Sequence, residues 1–598
     1  MNLPSIKEVT DKAQHAFQRF PVVLIWAILG SFYVIYMIGD KTSAKFDGYL
    51  NITLTLVLGI SWLIGTQFLI EQMTKQKKWF WLKPAVLVFL FLFYWHLPNT
   101  KGLDENPEYI TRFFLYFIGG HLFLLFAPFI KSWDKAAYWN YLKCVGVAIG
   151  RSAIFSGVLY LGLVLALAAI DALFEVRIQG ERYGQLFVFC LGIVNTWIYL
   201  SDFPKNILEN VDIHFDKALE VLVKYILIPL VLLYILILYA YGFKILFEWK
   251  LPQGWVSYLV TALALLGFVV QVIINPIQKI AKAWTIHRFY PWFYFALLPL
   301  IVLLFVAIFR RVADYGITEK RYFVILIAFW ILAMSLYLLL AKKRRLIVLP
   351  ISLFVLALLS SFGFWGAFSV SRNSQVNEFE KVFERVSANN KIATSAQFEQ
   401  LRSIIDYLDE RESISELDEI TGFAMQETLK DTAHNKWKSY GWLDSSKILD
   451  SLGVTINETE LNNSVHGRYY SYYDDQTKSQ QYNITEFSYF SPISFSSLNN
   501  QEHKIGRFDV RFDQKTVSLG LYSMKDSVEV VQIPLKKKLL ALSAFGDELY
   551  KVDKREMVLE SENDSVLLQF IFTDLGFNIT QDSVNIGNAR AFLFLKEK

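Results

Sequence analysis

Polar side chains embedded in long apolar runs are the residues of this 598-residue chain most able to do chemistry. Holding an ionisable group in lipid is costly, so its placement needs a reason. His121 stands in the middle of "FIGGHLFLLF", directly after Gly119 and Gly120. A ring there could relay a proton or bind a ligand; the simpler reading is an interhelical hydrogen bond, with the glycines letting a neighbouring helix come close. Asn195, Gln67, Gln271 and Asn275 could add to a polar interior, with Pro276 ending the run that carries the last two. Asp171 in "ALAAIDALF" and Arg151 in "AIGRSAIF" lie 20 residues apart. That is about 30 Å along one helix, so they face opposite membrane surfaces and do not pair with each other.

The motifs of common catalytic sites are missing. The chain has no Gly-rich phosphate loop followed by Lys-Ser/Thr, no His-Glu-x-x-His, no Cys-x-x-Cys and no Gly-x-Ser-x-Gly. Its eight histidines are scattered without metal spacing. No catalytic residue, metal or cofactor is therefore expected. Asp474 and Asp475 read as a solvated turn. The tract "HGRYYSYYDDQ" could stack sugars or peptides, but alternating Tyr is also the pattern of a half-exposed strand, the favoured reading.

Stretches able to hold these residues are plain from the hydropathy pattern. Eleven apolar runs of about 18 or more residues, long enough to cross a bilayer as helices, lie near 21–39, 49–70, 80–97, 113–130, 153–174, 184–201, 225–247, 255–275, 292–309, 322–340 and 346–368. Through residue 370 there are 33 Lys+Arg against 20 Asp+Glu, and beyond it 26 against 35. A basic apolar part is thus joined to an acidic polar one, and the acidic part would repel nucleic acid. Basic residues favour one set of inter-span segments, 21 against 12, which predicts a cytoplasmic N-terminus. An odd span count then places the polar part outside the cytoplasm.

One outer segment breaks that charge pattern. "RRVADYGITEKRY" carries Arg310, Arg311, Lys320 and Arg321 around a turn. Gly316 can take a positive φ, Thr318 can cap the next helix, and Glu319 suits the helix dipole. The four basic residues are expected to meet carboxylates of the polar part. Beyond Val370, Val376, Phe379, Val382, Phe383 and Val386 share a helical face. Thr394 and Gln397 form a capping box before an amphipathic helix with Phe398, Leu401, Ile404, Ile405 and Leu408 on one face. Another helix is expected from Ser415 to about Thr432, then "SSKILDSL" stopping at Gly453, and from about Gly467 a series of strands.

The expected fold is a polytopic α-helical membrane protein of about eleven transmembrane helices followed by a C-terminal soluble α+β domain. Its parts are a cytoplasmic segment 1–20, a transmembrane domain 21–370, a juxtamembrane helical region 371–455 and a strand-rich extracytoplasmic domain 456–598. The segment Tyr315, Gly316, Ile317, Thr318, Arg321 and Tyr322, and the opening "RFPVVLIWAILGSFYVIYMIG", resemble the uncharacterised bacterial membrane proteins grouped as domain of unknown function 4153, in the versions typical of Bacteroidota. The resemblance implies a multi-pass protein of the bacterial cytoplasmic (inner) membrane and supplies no activity. The leading expectation is a non-enzymatic envelope sensor or scaffold, with the lipid bilayer and other envelope proteins as partners. The alternative is a transporter or permease with a regulatory C-terminal domain, using His121 and Asn195.

Overall fold

A computed structural model describes residues 6–39, 48–73, 76–99, 102–103, 106–204, 206–209, 211–213, 215–248, 255–278, 284–425, 442–456, 468–473, 482, 484–496, 503–543, 554–579 and 584–598. Two compact units share the chain. One comprises Met1–Lys381 with Ile404–Lys438, the other Val382–Ser403 with Ser439–Lys598.

In the first unit ten described helices are long and apolar enough to cross a membrane. They are Pro21–Gly39, Tyr49–Glu71, Gln76–His96, Pro107–Phe129, Lys135–Phe174, Gly180–Ser201, Lys217–Glu248, Val256–Ile274, Pro291–Tyr315 and Glu319–Leu340, numbered here as spans one to ten. The run expected over 346–368 forms only a 12-residue helix, Val348–Leu359. It rises about 18 Å, short of a ~30 Å hydrocarbon core. The cause lies in "SSFGFWG", where Gly363 takes φ +79°. There Trp365 Nε1 donates to Leu359 O, and Ala367 N donates to Ser360 O.

Span five is the opposite case. Asp134 caps it, its carboxylate accepting from Ala137 N at 2.8 Å, and the helix continues for 40 residues to Phe174. At about 60 Å it is twice the thickness of the hydrocarbon core. Lys143 and Arg151 dilute the apolar signal of its first half, which the sequence reading left out. That half nevertheless buries Ala137, Tyr138, Tyr141 and Val145 in the core of this unit.

The Gly119–Gly120 pair does bring helices together. A Cβ on Gly120 would run into Ser61 Oγ and lie 2.7 Å from the Trp62 ring on span two, whereas one on Gly119 would meet nothing closer than 3.8 Å. Gly120→Ala is therefore expected to cost about 1–3 kcal/mol by overpacking. Gly119→Ala should stay within about 0.5 kcal/mol. Thermal melting of the two purified variants distinguishes them.

The second unit is built largely of antiparallel sheet. β3 (Arg468–Tyr473), β10 (Val566–Ile579), β11 (Val584–Glu597) and β4 (Tyr489–Phe495) form one sheet in that order, with β9 (Val558–Glu562) also on β10. β5 (His503–Ile505), β6 (Phe508–Asp513), β7 (Ser518–Ser523) and β8 (Glu529–Pro534) form a meander. β1 (Ile392–Ala393) pairs in parallel with β2 (Thr455–Ile456). Alternate residues supply the core: Tyr470 and Tyr472, Phe570 and Phe572, Leu593 and Leu595. The Tyr tract is thus a strand with one buried face; Asp474 and Asp475 lie outside the described residues. The capping box forms as written, with Gln397 N on Thr394 Oγ1 at 3.2 Å and Thr394 N on Gln397 Oε1 at 3.0 Å. The helix expected from Ser415 begins as a short 3-10 turn, Ile414–Leu417, and a single helical turn, Asp418–Thr421, closed by Gly422 at φ +66°. Residues 426–432 of that expectation lie outside the described residues.

Candidate functional site

The turn between spans nine and ten is held by hydrogen bonds from four directions. Gly316 takes φ +67°, a left-handed conformation that a Cβ disfavours, and its N–H closes span nine on Val312 O. Arg321 reaches back so that Nη1 donates to Tyr315 O at 2.9 Å and Gly316 O at 2.8 Å. Gln375, on the helix Ala367–Ala388, donates to Tyr315 O and Ile317 O, both at 3.0 Å. Ser374 Oγ accepts from Ile317 N at 2.8 Å. Thr318 occupies the cap position, but its hydroxyl makes no capping bond; its carbonyl accepts from Tyr322 N instead. A methyl group at position 316 would sit 2.9 Å from Gln375 Nε2 and 3.2 Å from Ser374 Oγ. Gly316→Ala is expected to cost at least about 1–2 kcal/mol from backbone conformation alone, read as a lower melting temperature.

Charge enters this turn with a sign opposite to the expected one. Glu319 is buried, and its carboxylate takes both arms of one guanidinium: Arg411 Nε at 2.7 Å and Nη2 at 3.2 Å. Tyr407 OH donates to the same carboxylate at 2.8 Å, and the Arg411 guanidinium lies 3.7 Å from the Tyr407 ring centroid. Tyr407 and Arg411 are one turn apart on the helix Ser395–Asp409 and just past its end. Burial, then the Glu319 charge, raises the Tyr407 phenol well above its ordinary value. Burial works to lower Arg411, but the Glu319 hydrogen bond and charge outweigh it and hold the guanidinium above its usual value. Of the four basic residues expected to meet carboxylates, Arg310 pairs with Asp314 on its own helix at 3.0 Å, Arg321 binds carbonyls, and Arg311 and Lys320 are exposed. Within the first unit, the turn offers an acid to a base.

More charge gathers at the same end. Tyr322 OH donates to Trp365 O at 2.8 Å, and Arg372 pairs with Glu416 at 2.9 Å. Asn106 caps span four, where Arg112 pairs with Glu108 at 3.3 Å, bonds His96 Nε2 at 2.6 Å and lies over the Phe368 ring at 4.7 Å. The opposite end of the bundle has a buried node of its own. Arg19 makes a bidentate pair with Glu71, at 3.0 and 2.8 Å, and donates Nη1 to Phe203 O and Pro204 O.

The intramembrane candidates do not converge. His121 is exposed, its Nδ1 bonded at 2.8 Å to Phe117 O of its own helix, which is not the interhelical bond expected. Asn195 closes a π-helical turn, Phe189–Asn195, and donates to Ser156 Oγ at 3.0 Å. Gln271 is buried and bonds Gln278 Oε1 at 3.0 Å, while Asn275 is half-buried just past span eight. Asp171 is half-buried near the far end of span five, and Arg151 pairs with Asp202 at 2.7 Å. Among the described residues, no three His, Cys, Asp or Glu side chains stand close enough together to hold a metal ion.

The family model of the domain of unknown function 4153 matches residues 17–396, from just before Arg19 through both halves of the turn. The chain belongs to this family. Glu319 thus falls inside the family region, and its partners Tyr407 and Arg411 fall beyond it. An uncharacterised protein of Pasteurella multocida (strain Pm70) is 26% identical over 419 residues, which cover 68% of this chain and 64% of that protein. The chain therefore spans a little under two thirds of this relative's length. No solved structure matches the chain.

This multi-pass membrane protein of the 4153 family thus has a charged end at which Glu108, Glu319 and Glu416 each meet an arginine. Such an arrangement has the chemistry of a clasp: it fixes the position of the segment that carries Tyr407 and Arg411. Neither residue stands out in the sequence, because the periodicity of their helix is carried by its apolar face. The available signal was a Tyr and an Arg four apart on its polar flank, opposite a Glu in an otherwise basic turn.

Proposed function

We propose that the protein is a non-enzymatic scaffold or sensor of the bacterial inner membrane, with its strand-rich region displayed outside the cytoplasm. The observation that carries this reading is the buried Glu319–Arg411–Tyr407 clasp. It ties the segment leading into the strand-rich unit to the turn between spans nine and ten, as a protein that positions a folded region at a membrane surface requires. The excess of basic residues in the segments on the N-terminal side supports a cytoplasmic N-terminus, which puts the turn between spans nine and ten outside; the bonds of Ser374 and Gln375 to that turn return the chain to the same end after the short Val348–Leu359 helix, although that helix alone is too short to cross. Transport would need polar side chains converging on a shared path, and His121, exposed and bonded to its own helix, lends that reading no support.

A cysteine placed at exposed Lys515, with Cys144 and Cys190 replaced by alanine, tests the orientation. Labelling by a membrane-impermeant maleimide on intact cells is the expected result, and labelling only after lysis overturns it. The scaffold reading further expects a stoichiometric envelope protein to co-purify with the wild type and to be lost from the Arg411→Ala variant. Uptake of a solute by vesicles containing the purified protein alone would instead establish transport.

A further inference from the structure

A cavity of about 930 Å³ opens among spans four, five, seven, eight and ten and the Val348–Leu359 helix. That volume lies near the top of the range of small-molecule sites, ~300–1,000 Å³. Its lining is apolar, including Leu222, Phe268, Trp330 and Leu349, and the charged residues bordering it are Lys143 and Asp216. These two meet at 2.6 Å, with Lys143 Nζ also 5.7 Å from the Trp139 ring.

The pair sits at the level of the helix ends. Trp139 Nε1 donates to Ile273 O in the last turn of span eight, and Asp216 immediately precedes span seven. From there the lining continues along span eight from Ile273 to Leu265, roughly 12 Å into the apolar layer. The cavity is thus a greasy slot beneath one positive and one negative charge standing side by side at the membrane–water boundary.

Lipid tails are as apolar as leucine, so filling such a slot gains little over the surrounding bilayer, and discrimination must come from the headgroup. An anionic headgroup would gain from Lys143 but be repelled by Asp216. A headgroup with a phosphate and a primary ammonium satisfies both. The phosphate lies on the Lys143 ammonium, which has three donors, and the lipid ammonium donates to the Asp216 carboxylate. We propose that this cavity is a binding site for a phosphatidylethanolamine-type lipid, with its phosphate on Lys143, its ammonium on Asp216 and its acyl chains against Phe268 and Trp330. The site is independent of the scaffold reading and of which end of the bundle faces the cytoplasm.

The test uses the full chain, stripped of lipid in detergent and titrated with dioleoyl phosphatidylethanolamine or dioleoyl phosphatidylglycerol, with bound lipids counted by native mass spectrometry. The wild type should retain one phosphatidylethanolamine in preference to phosphatidylglycerol. Asp216→Asn, at an exposed carboxylate, should cut that preference by about tenfold, the effect of one hydrogen bond to a charged group. Gly146 lines the cavity, and a Cβ there would meet nothing within 4 Å. Gly146→Phe should therefore fold, fill the slot and remove the retained lipid while leaving the melting temperature in place. Equal binding of the two lipids, a preference for phosphatidylglycerol, or an Asp216→Asn variant with undiminished preference overturns the proposal. So does a folded Gly146→Phe variant that keeps its bound lipid.

Discussion

Arg411→Ala is expected to release the segment around residues 404–417 from the bundle at a cost of about 3–5 kcal/mol, the usual effect of removing one partner from a buried ion pair. The large value comes from what remains. Glu319 would be left buried with only Tyr407 donating to it. Protease cleavage in this segment, measured in membranes, should rise by about 10²–10⁴-fold if opening is fast relative to cutting. Arg411→Lys should recover only part of the loss, because an ammonium cannot reproduce the two parallel bonds of the guanidinium fork. The double variant Glu319→Ala/Arg411→Ala should cost less than the two single changes added together, with a coupling of about 0.5–3 kcal/mol. The sign of the pH dependence follows from Tyr407 and Arg411, both raised above their ordinary values. Their contribution is fully present below the ordinary pKa values, ~10 for Tyr and higher still for Arg, and is lost only as pH rises through the raised ones. Protease resistance should accordingly be flat between neutral pH and about pH 10. A sharp loss on the alkaline side before that point would contradict the burial of the clasp.

Arg19→Ala should do comparable damage at the other end, again about 3–5 kcal/mol. Arg19 is nine-tenths buried, and its guanidinium ties two other pieces of chain to its own: Glu71 at the end of span two, and the carbonyls of Phe203 and Pro204 after span six. It also lies 5.1 Å from the Phe20 ring centroid and 5.5 Å from that of Phe68, whose ring packs on Tyr141 and Phe203. Removing it strands the Glu71 carboxylate, to which Gln67 still donates at 2.9 Å, and loosens the aromatic cluster beneath. Glu71→Gln should cost less than Arg19→Ala, since a neutral amide can still accept from the guanidinium. Loss of folded protein from the membrane fraction, followed as the monodisperse peak in detergent, measures both.

The spans were legible because lipid imposes a length and an apolarity that few sequences meet by accident. What was illegible depended on partners far away in the chain. Arg19 sits within the quoted opening "RFPVV", yet nothing local marks Glu71 as its partner 52 residues on. Glu319 was read as a helix-dipole residue, and its real role required Arg411, 92 residues downstream. Polar residues in apolar runs drew attention by their cost, but His121 meets that cost locally, on the carbonyl four residues back. The series of strands expected from about Gly467 is present, because a buried face forces alternation, as at Tyr470 and Tyr472. β1, β2 and β5, only two or three residues each, were too short to show a period.

Neither compact unit is one continuous stretch of chain, and this bears on how the gene can be dissected. Expression of residues 439–598 alone would omit β1, the partner of β2, together with the rest of 382–403. Starting instead at residue 382 restores that piece but carries Arg411 and Tyr407 into water without Glu319, exposing a helix flank shaped for a carboxylate. A soluble fragment that behaves like the intact unit calls for splicing 382–403 directly to 439–598 across a designed linker.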